Sequence, residues 1–312
     1  MRRMGWRFSA LLLSGLLLGA GGCSTLEGLP QASTVPEMAP AAEPALAVGD
    51  RSYFTNGRRL EVTGLSGGLA EWKRSARRHY RSTNNFLLPP AIEESAKKRI
   101  ANTLDAPLSS IWPLTLGQEL SFSLQRVSDD RTSGERGESR RYWDCEVDAA
   151  QRITVVAGRF DTYRVDCTRR TASHKFRQRR IWFYAPDIGQ PVLRLDYYRE
   201  NRRRRLEMTA FVPVLPGLSD ASSRDYLDSF QKVMETAGSG EKMVWTDTRG
   251  DAQITVTPLR TVRWQDGTYC RNYRQRVRIA DHARQGAGLV CRTADGSWRI
   301  PRSIKRQGGV RF

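Results

Sequence analysis

The stretch RITVVAGRFDTYRVDC, residues 152–167, decides the fold. Ile153 and Val155 flank Thr154, and Tyr163, Val165 and Cys167 alternate with Arg164 and Asp166. A period of two marks strands with one buried face. Ala157-Gly158 sits between the two runs and predicts a tight turn, so the stretch reads as a β-hairpin. Similar runs flank it: ELSFSLQRV (119–127), RYWDCEVD (141–148), RRIWFYAP (179–186), PVLRLDYY (191–198) and RLEMTAFVPV (205–214). Regular spacing with turn signals between runs predicts an antiparallel curved sheet or partial barrel. RTSGERGES (131–139) reads as a polar loop between two of them.

Upstream, RRLEVTGLSGGLAEWKRS (58–75) is two short alternating runs around Ser66-Gly67-Gly68, a hairpin signal. PPAIEESAKKRIANTL (89–104) is expected to be a helix. Pro90 suits the first helical position, Glu93 and Glu94 the first turn, and Ile92, Ala96, Ile100 and Leu104 repeat every four residues. PGLSD (216–220) breaks the β pattern. SSRDYLDSFQKVMETAGSG (222–240) is expected to form a second helix with Tyr226, Leu227, Phe230, Val233, Met234 and Ala237 on its apolar face. The fold class is therefore mainly β (α+β): a sheet domain with one helix over 49–218, then a small helix-plus-hairpin module over 219–312.

The N-terminus sets the compartment. Arg2, Arg3 and Arg7 precede an apolar run from Phe8 to Gly19, and small residues lead to Cys23, the signal-peptide pattern over 1–22. The uncharged stretch from Phe8 to Gly22 is 15 residues, shorter than the ~20 that span a bilayer. Ala20-Gly21-Gly22-Cys23 resembles the bacterial lipobox, although that pattern usually carries Leu, Val or Ile where Ala20 stands. The resemblance implies that Cys23 is lipidated and, with Ser24 following, that the protein is held at the outer membrane facing the periplasm or the cell surface. Residues 23–48 contain Pro30, Pro36, Pro40 and Pro44 without an aromatic side chain, and are expected to be an extended tether.

Cys145, Cys167, Cys270 and Cys291 remain, an even number for an oxidising compartment. Four cysteines allow three pairings, of which Cys145–Cys167 and Cys270–Cys291 is the local one. A two-residue turn at Ala280-Asp281 would set Cys270 opposite Cys291 and Tyr273 opposite Gly288, with Arg274, Arg276 and Arg278 on one face.

Two resemblances follow from longer motifs. IWPLTLGQ (111–118), VVAGRFDTYRV (155–165) and WFYAPDIGQPV (182–192) resemble an uncharacterised β-domain family of the bacterial envelope, over about 105–215. Trp245, Gly250, Cys270-Arg271, Tyr273, Gly288, Cys291-Arg292, Asp295-Gly296 and Trp298 resemble the 17 kDa surface-antigen family, over about 222–300. Asp251 departs from that family's second glycine, and its glycine-zipper segment is replaced by the β-domain. The resemblances imply an envelope protein and no catalysis.

Nothing in the residues points to chemistry. His79, His174 and His282 stand apart, and no hydrolase, metalloprotease or nucleotide-binding motif occurs. Two lone cysteines do not make a zinc site, so neither metal nor cofactor is expected. The formal net charge of +18 favours anionic partners. The candidate anion-binding residues are Arg202, Arg203, Arg204 and Arg205 in one run, and Arg274, Arg276 and Arg278 in the other. A periplasmic address argues against nucleic acid and for lipopolysaccharide, anionic lipid or another envelope protein. The expected role is non-enzymatic, structural or binding. The alternative is a carrier of a lipidic or anionic ligand, which needs an apolar concavity. A structural module would fill that space with Trp112, Phe122, Trp143, Trp182 and Phe183. Cys23→Ser is expected to move the protein from the membrane to the soluble fraction; unchanged fractionation would refute lipidation.

Overall fold

The computed structural model describes residues 29–249, 252–264, 266–279 and 282–304. The signal segment, Cys23, Gly250 and the Ala280-Asp281 turn lie outside these residues. The first strands are β1 (Ala32–Thr34), β2 (Arg51–Phe54), β3 (Arg59–Ser66), β4 (Leu69–Ser75), β5 (Arg78–Ser82), β6 (Ile92–Ser95) and β7 (Lys98–Leu104). They are followed by β8 (Glu119–Asp130), β9 (Arg136–Val155), β10 (Gly158–Arg170), β11 (Phe176–Ala185), β12 (Gln190–Tyr198) and β13 (Arg203–Val212). Helix α1 (Asp220–Thr236) precedes β14 (Met243–Thr246), β15 (Ala252–Arg263), β16 (Tyr269–Ile279), β17 (His282–Arg292) and β18 (Trp298–Arg299).

From β2 to β13 each strand pairs antiparallel with the next. β13 then returns to β2 through Met208↔Phe54 and Val212↔Arg51, closing a twelve-stranded barrel. Closure removes the free edges that an open sheet exposes. The register sorts side chains between two faces. Trp72↔Tyr80, Tyr80↔Glu93, Phe122↔Trp143, Val165↔Trp182 and Trp182↔Arg194 all belong to the enclosed face. The outer face of the same strands carries Glu61↔Lys73, Glu94↔Arg99 and Arg140 with Asp105. A second core lies on the opposite face of β11 and β12, where Ile181, Phe183, Leu193 and Leu195 are buried with Phe160 and Met208. The tip of the β9–β10 hairpin reaches β13 there, and the Ala157 N–H donates to the Met208 carbonyl.

Strand β13 is shared between two sheets. Beyond its pairing with β12 it takes β17 as a neighbour through Ala210↔Gly288 and Phe211↔Ala287. This joins the barrel to the sheet β14–β15–β16–β17–β18. A Cβ on Gly288 would lie 2.5 Å from the Ala210 Cβ and 3.1 Å from the Tyr273 ring, so only glycine permits this approach. The β16–β17 register sets Cys270 against Cys291, and the disulfide between them spans Cα atoms 3.9 Å apart. Cys145 and Cys167 form the second disulfide across β9 and β10. Helix α1 lays Tyr226, Phe230, Val233 and Met234 against this sheet, while Leu227 is exposed. Ser219 caps its N-terminus. The buried Arg271 donates to the carbonyls of Met234 at 2.7 Å and Ala237 at 2.9 Å, satisfying orphan acceptors at the helix's negative end.

Three expectations are corrected. The helix expected over 89–104 is the hairpin β6–β7, paired as Glu93↔Ile100 with Ser95 bonding both backbone groups of Lys98. A spacing of four is also a multiple of two, so Ile100 and Leu104 serve a strand face equally well, and barrel pairing decides. The turn between β9 and β10 is Val156-Ala157, one residue earlier than expected. The tether is not free along its described part. β1 pairs with β9, Ala41 bridges to Leu114, and the Tyr163 hydroxyl donates to the Met38 carbonyl. Asp50, 1 % exposed, fixes the end of this segment by accepting from both terminal nitrogens of Arg284 at 2.5 and 2.6 Å and from Val214 N–H. Gly288→Val is expected to destabilise the protein by about 1–3 kcal/mol or more through overpacking at β13–β17, measured by urea unfolding.

Candidate functional site

The barrel holds a cavity of about 440 Å³ that opens to solvent. Arg58, Arg74, Arg180, Arg194 and Arg204 line it together with Trp72, Tyr80, Trp182 and Tyr184. Glu93, from β6, is the carboxylate in its wall, and Asn84, Asn85, Ser82 and Gln190 add neutral polar groups. The β5–β6 connection forms part of the lining: Phe86 stacks on Tyr184 at 5.0 Å and meets Trp182 edge-on at 5.5 Å. Trp72 and Tyr80 lie parallel at 5.9 Å on the adjacent wall.

The arginines are held by rings and by one buried carboxylate. Arg194 lies 5.1 Å over the Trp182 ring, and Arg180 lies over both Trp182 at 5.6 Å and Trp143 at 5.2 Å. Desolvated cation–π contacts of this kind are each worth about 2 kcal/mol. Asp196, 1 % exposed, accepts from Gln178 at 2.7 Å and Arg180 at 2.5 Å and lies 3.0 Å from Arg194 Nε. That last approach is a charge contact without hydrogen-bond alignment, since Arg194 Nε and Asp196 Oδ2 have no hydrogen-bond partner. Burial, then the neighbouring Arg180, brings the Arg194 guanidinium down to about 10 against the pull of Asp196. Burial and Arg74 lower Arg58 in the same way. Burial pushes the Tyr80 and Tyr184 hydroxyls up, so both stay neutral donors.

Strand alternation divides the arginine run 202–205. Arg204 lies on the cavity side with Asp196 as its cross-strand neighbour. Arg202 stacks on Tyr198 at 4.7 Å, and Arg205 bonds Glu207 at 2.8 Å on the opposite face. Arg203 shares that opposite parity. Arg274 pairs with Asp187 and donates to the Arg159 carbonyl, fastening the C-terminal sheet to the barrel, while Arg276 and Arg278 are exposed. The sequence reading missed Arg58, Arg74, Arg180 and Arg194. A signal was present: Trp72 with Arg74, Trp182 with Arg180 and Trp143 with Arg141 are pairs two residues apart, which places each arginine on the same face as an indole. Of the side chains expected to fill the interior, Phe122, Trp143 and Trp182 are buried there with Trp112 packed against them, and Phe183 lies in the second core.

The motif residues of the C-terminal module lie elsewhere. The Trp298 indole Nε1–H donates to Glu235 at 2.8 Å, and Arg292 donates to the same carboxylate at 3.0 Å. Trp245 donates to Asp225, Tyr273 packs edge-on against Phe230 at 5.1 Å, and Asp295-Gly296 makes the β17–β18 turn. Trp298, Arg292, Trp245 and Tyr273 hold helix to sheet, and none of these motif residues lines the cavity. Residues 232–299 match the family of the 17 kDa outer membrane surface antigen. Across 70 residues the chain is 37 % identical to the 17 kDa surface antigen of Rickettsia conorii and 36 % identical to that of Rickettsia prowazekii. These alignments cover 22 % of this chain, which spans 44 % of the length of the curated relatives it matches. A crystal structure of the hypothetical lipoprotein YmcC from Escherichia coli aligns with 54 % of this chain and 85 % of its own, at 8 % identity and a TM-score of 0.38. The surface-antigen signature is thus the folding core of the module, and the cavity belongs to the barrel outside the matched region. Asp196→Asn is expected to cost about 3–5 kcal/mol by leaving Arg180 and Arg194 uncompensated, read as a lower urea midpoint.

Proposed function

We propose that this is an envelope lipoprotein, anchored through Cys23, whose barrel binds an anionic ligand carrying a flat ring or ring face. The observation that carries the reading is the imbalance in the cavity wall. Arg58, Arg74, Arg180, Arg194 and Arg204 face Glu93 and Asp196 among stacked aromatic rings. Guanidinium forks recognise carboxylate, phosphate and sulfonate groups, and the volume suits a small ligand. An acyl chain would gain little from a wall studded with arginine, so the lipidic form of the carrier reading loses to the anionic one. The surface-antigen-like module supports an outer-membrane setting and serves as a brace, docked on β13 through Gly288. The cavity's groups suit binding without reaction, and the role is non-enzymatic.

Naphthalene disulfonate, a flat dianion, tests this by titration calorimetry on the full chain. Wild type is expected to bind it, with affinity falling as salt rises. Arg58→Gln combined with Arg74→Gln is expected to weaken binding at least tenfold. Equal affinity for neutral naphthalenediol, or no loss in the double variant, would overturn the reading.

A further inference from the structure

We propose that Arg126, Arg141 and Arg169 form a seat for a dianionic phosphate group inside the barrel, next to the cavity already described. The inference rests on reading the barrel as an anion-binding container, and it assigns the chemical class of the ligand's charged end.

The three arginines come from consecutive strands and share the enclosed face. On β8 and β9, Leu124 pairs with Arg141 and Arg126 with Ser139. Arg126 and Arg141 are therefore diagonal neighbours. On β9 and β10, Trp143 pairs with Arg169, which makes Arg141 and Arg169 diagonal neighbours too. Arg169 lies 5.9 Å over the Trp143 ring, and the cavity residue Arg180 lies over the same ring. The seat and the cavity are thus contiguous through one indole.

Charge pairing separates these residues from their immediate neighbours. On the outer face, Arg140 pairs with Asp105 at 3.0 Å, Arg164 with Asp148 at 2.6 Å, and Arg179 with Asp166. Arg170, next to Arg169, lies 3.8 Å from Asp144 in the same way, whereas on the inner face Arg126, Arg141 and Arg169 have no ion pair among the described residues. The Nε atoms of Arg141 and Arg169 are buried without a hydrogen-bond partner. Unmet donors and clustered like charges inside a protein are costly. Burial, followed by Arg126, Arg169 and Arg180, brings the Arg141 guanidinium down to about 9. A strand that supplies a carboxylate to its outer arginines and none to its inner ones leaves the inner set for an external anion. Three planar forks on one face fit the several oxygens of a phosphate monoester or diphosphate better than the two of a carboxylate.

The test uses the full chain with pyrophosphate as the soluble probe and Arg141→Gln/Arg169→Gln as the variant. Pyrophosphate is expected to raise the melting temperature of wild type and to bind the variant at least tenfold more weakly. Without anion, the variant is expected to melt a few degrees higher than wild type, because it relieves mutual repulsion; a merely structural role for these arginines would lower it. Phosphatidylcholine vesicles with and without phosphatidic acid distinguish the source. Extra retention on phosphatidic acid that the variant loses identifies a lipid headgroup, and a response to pyrophosphate alone identifies a soluble phosphate. No response to either, or equal binding by the variant, overturns the proposal. Pyrophosphate binding without any binding of naphthalene disulfonate would uphold the seat and reject the wider cavity reading.

Discussion

The pairing of β13 with β2 is the constraint on which the rest of the molecule depends. Until it forms, the sheet has two faces open to water and no interior. Once it forms, Phe54 from β2 and Leu206 from β13 line one cavity with Trp72, Tyr80, Trp182 and Arg194 from the strands between. The same strand then accepts β17 on the edge that β12 leaves, so closure of the barrel and docking of the C-terminal module meet on one stretch of backbone. Gly288 and Ala210 make that meeting possible by presenting almost nothing to one another.

Closure also explains how the charge is distributed. Strand residues alternate between the two faces, so adjacent arginines in the chain enter opposite environments. Arg179 is held by Asp166 outside, while Arg180 lies between two indoles inside. Arg140 and Arg141 divide in the same way. The arginines of the barrel strands thus include outer guanidiniums paired locally, such as Arg140, Arg164 and Arg179, and inner ones held by aromatic faces with too few carboxylates. The C-terminal module shows a third use, in Arg271, where the charge closes a helix end.

Much of this architecture could be read from the chain. The alternation in 119–127 and 141–214 and the Gly67-Gly68 turn depend on nearby residues, and the strands lie where that pattern puts them. The pairing of Tyr273 with Gly288 also follows from the β16–β17 register, a local property of one hairpin. The hairpin at 92–104 was misread because its apolar spacing satisfies both periodicities, and the neighbours that select the strand form, β5 and β8, are not local. The cavity was harder still. A basic run such as 202–205 is conspicuous in a sequence, yet most of it faces outward or is paired. Single arginines beside an indole, such as Arg74 and Arg180, become a site only when twelve strands bring them to one space.

The buried contact between Asp50 and Arg284 has a consequence for the order in which the molecule assembles. Asp50 also takes the N–H groups of Ala47 and Val214, so one carboxylate ties the start of the barrel, its last strand and the C-terminal sheet. A chain emerging from its N-terminus exposes Asp50 long before any of its distant partners exist. Contacts of such long sequence separation form slowly, because loop-closure entropy must be met first. The Asp50 carboxylate therefore gains its full set of partners only once the barrel's end and the C-terminal sheet are both in place, and its burial records that both have been completed.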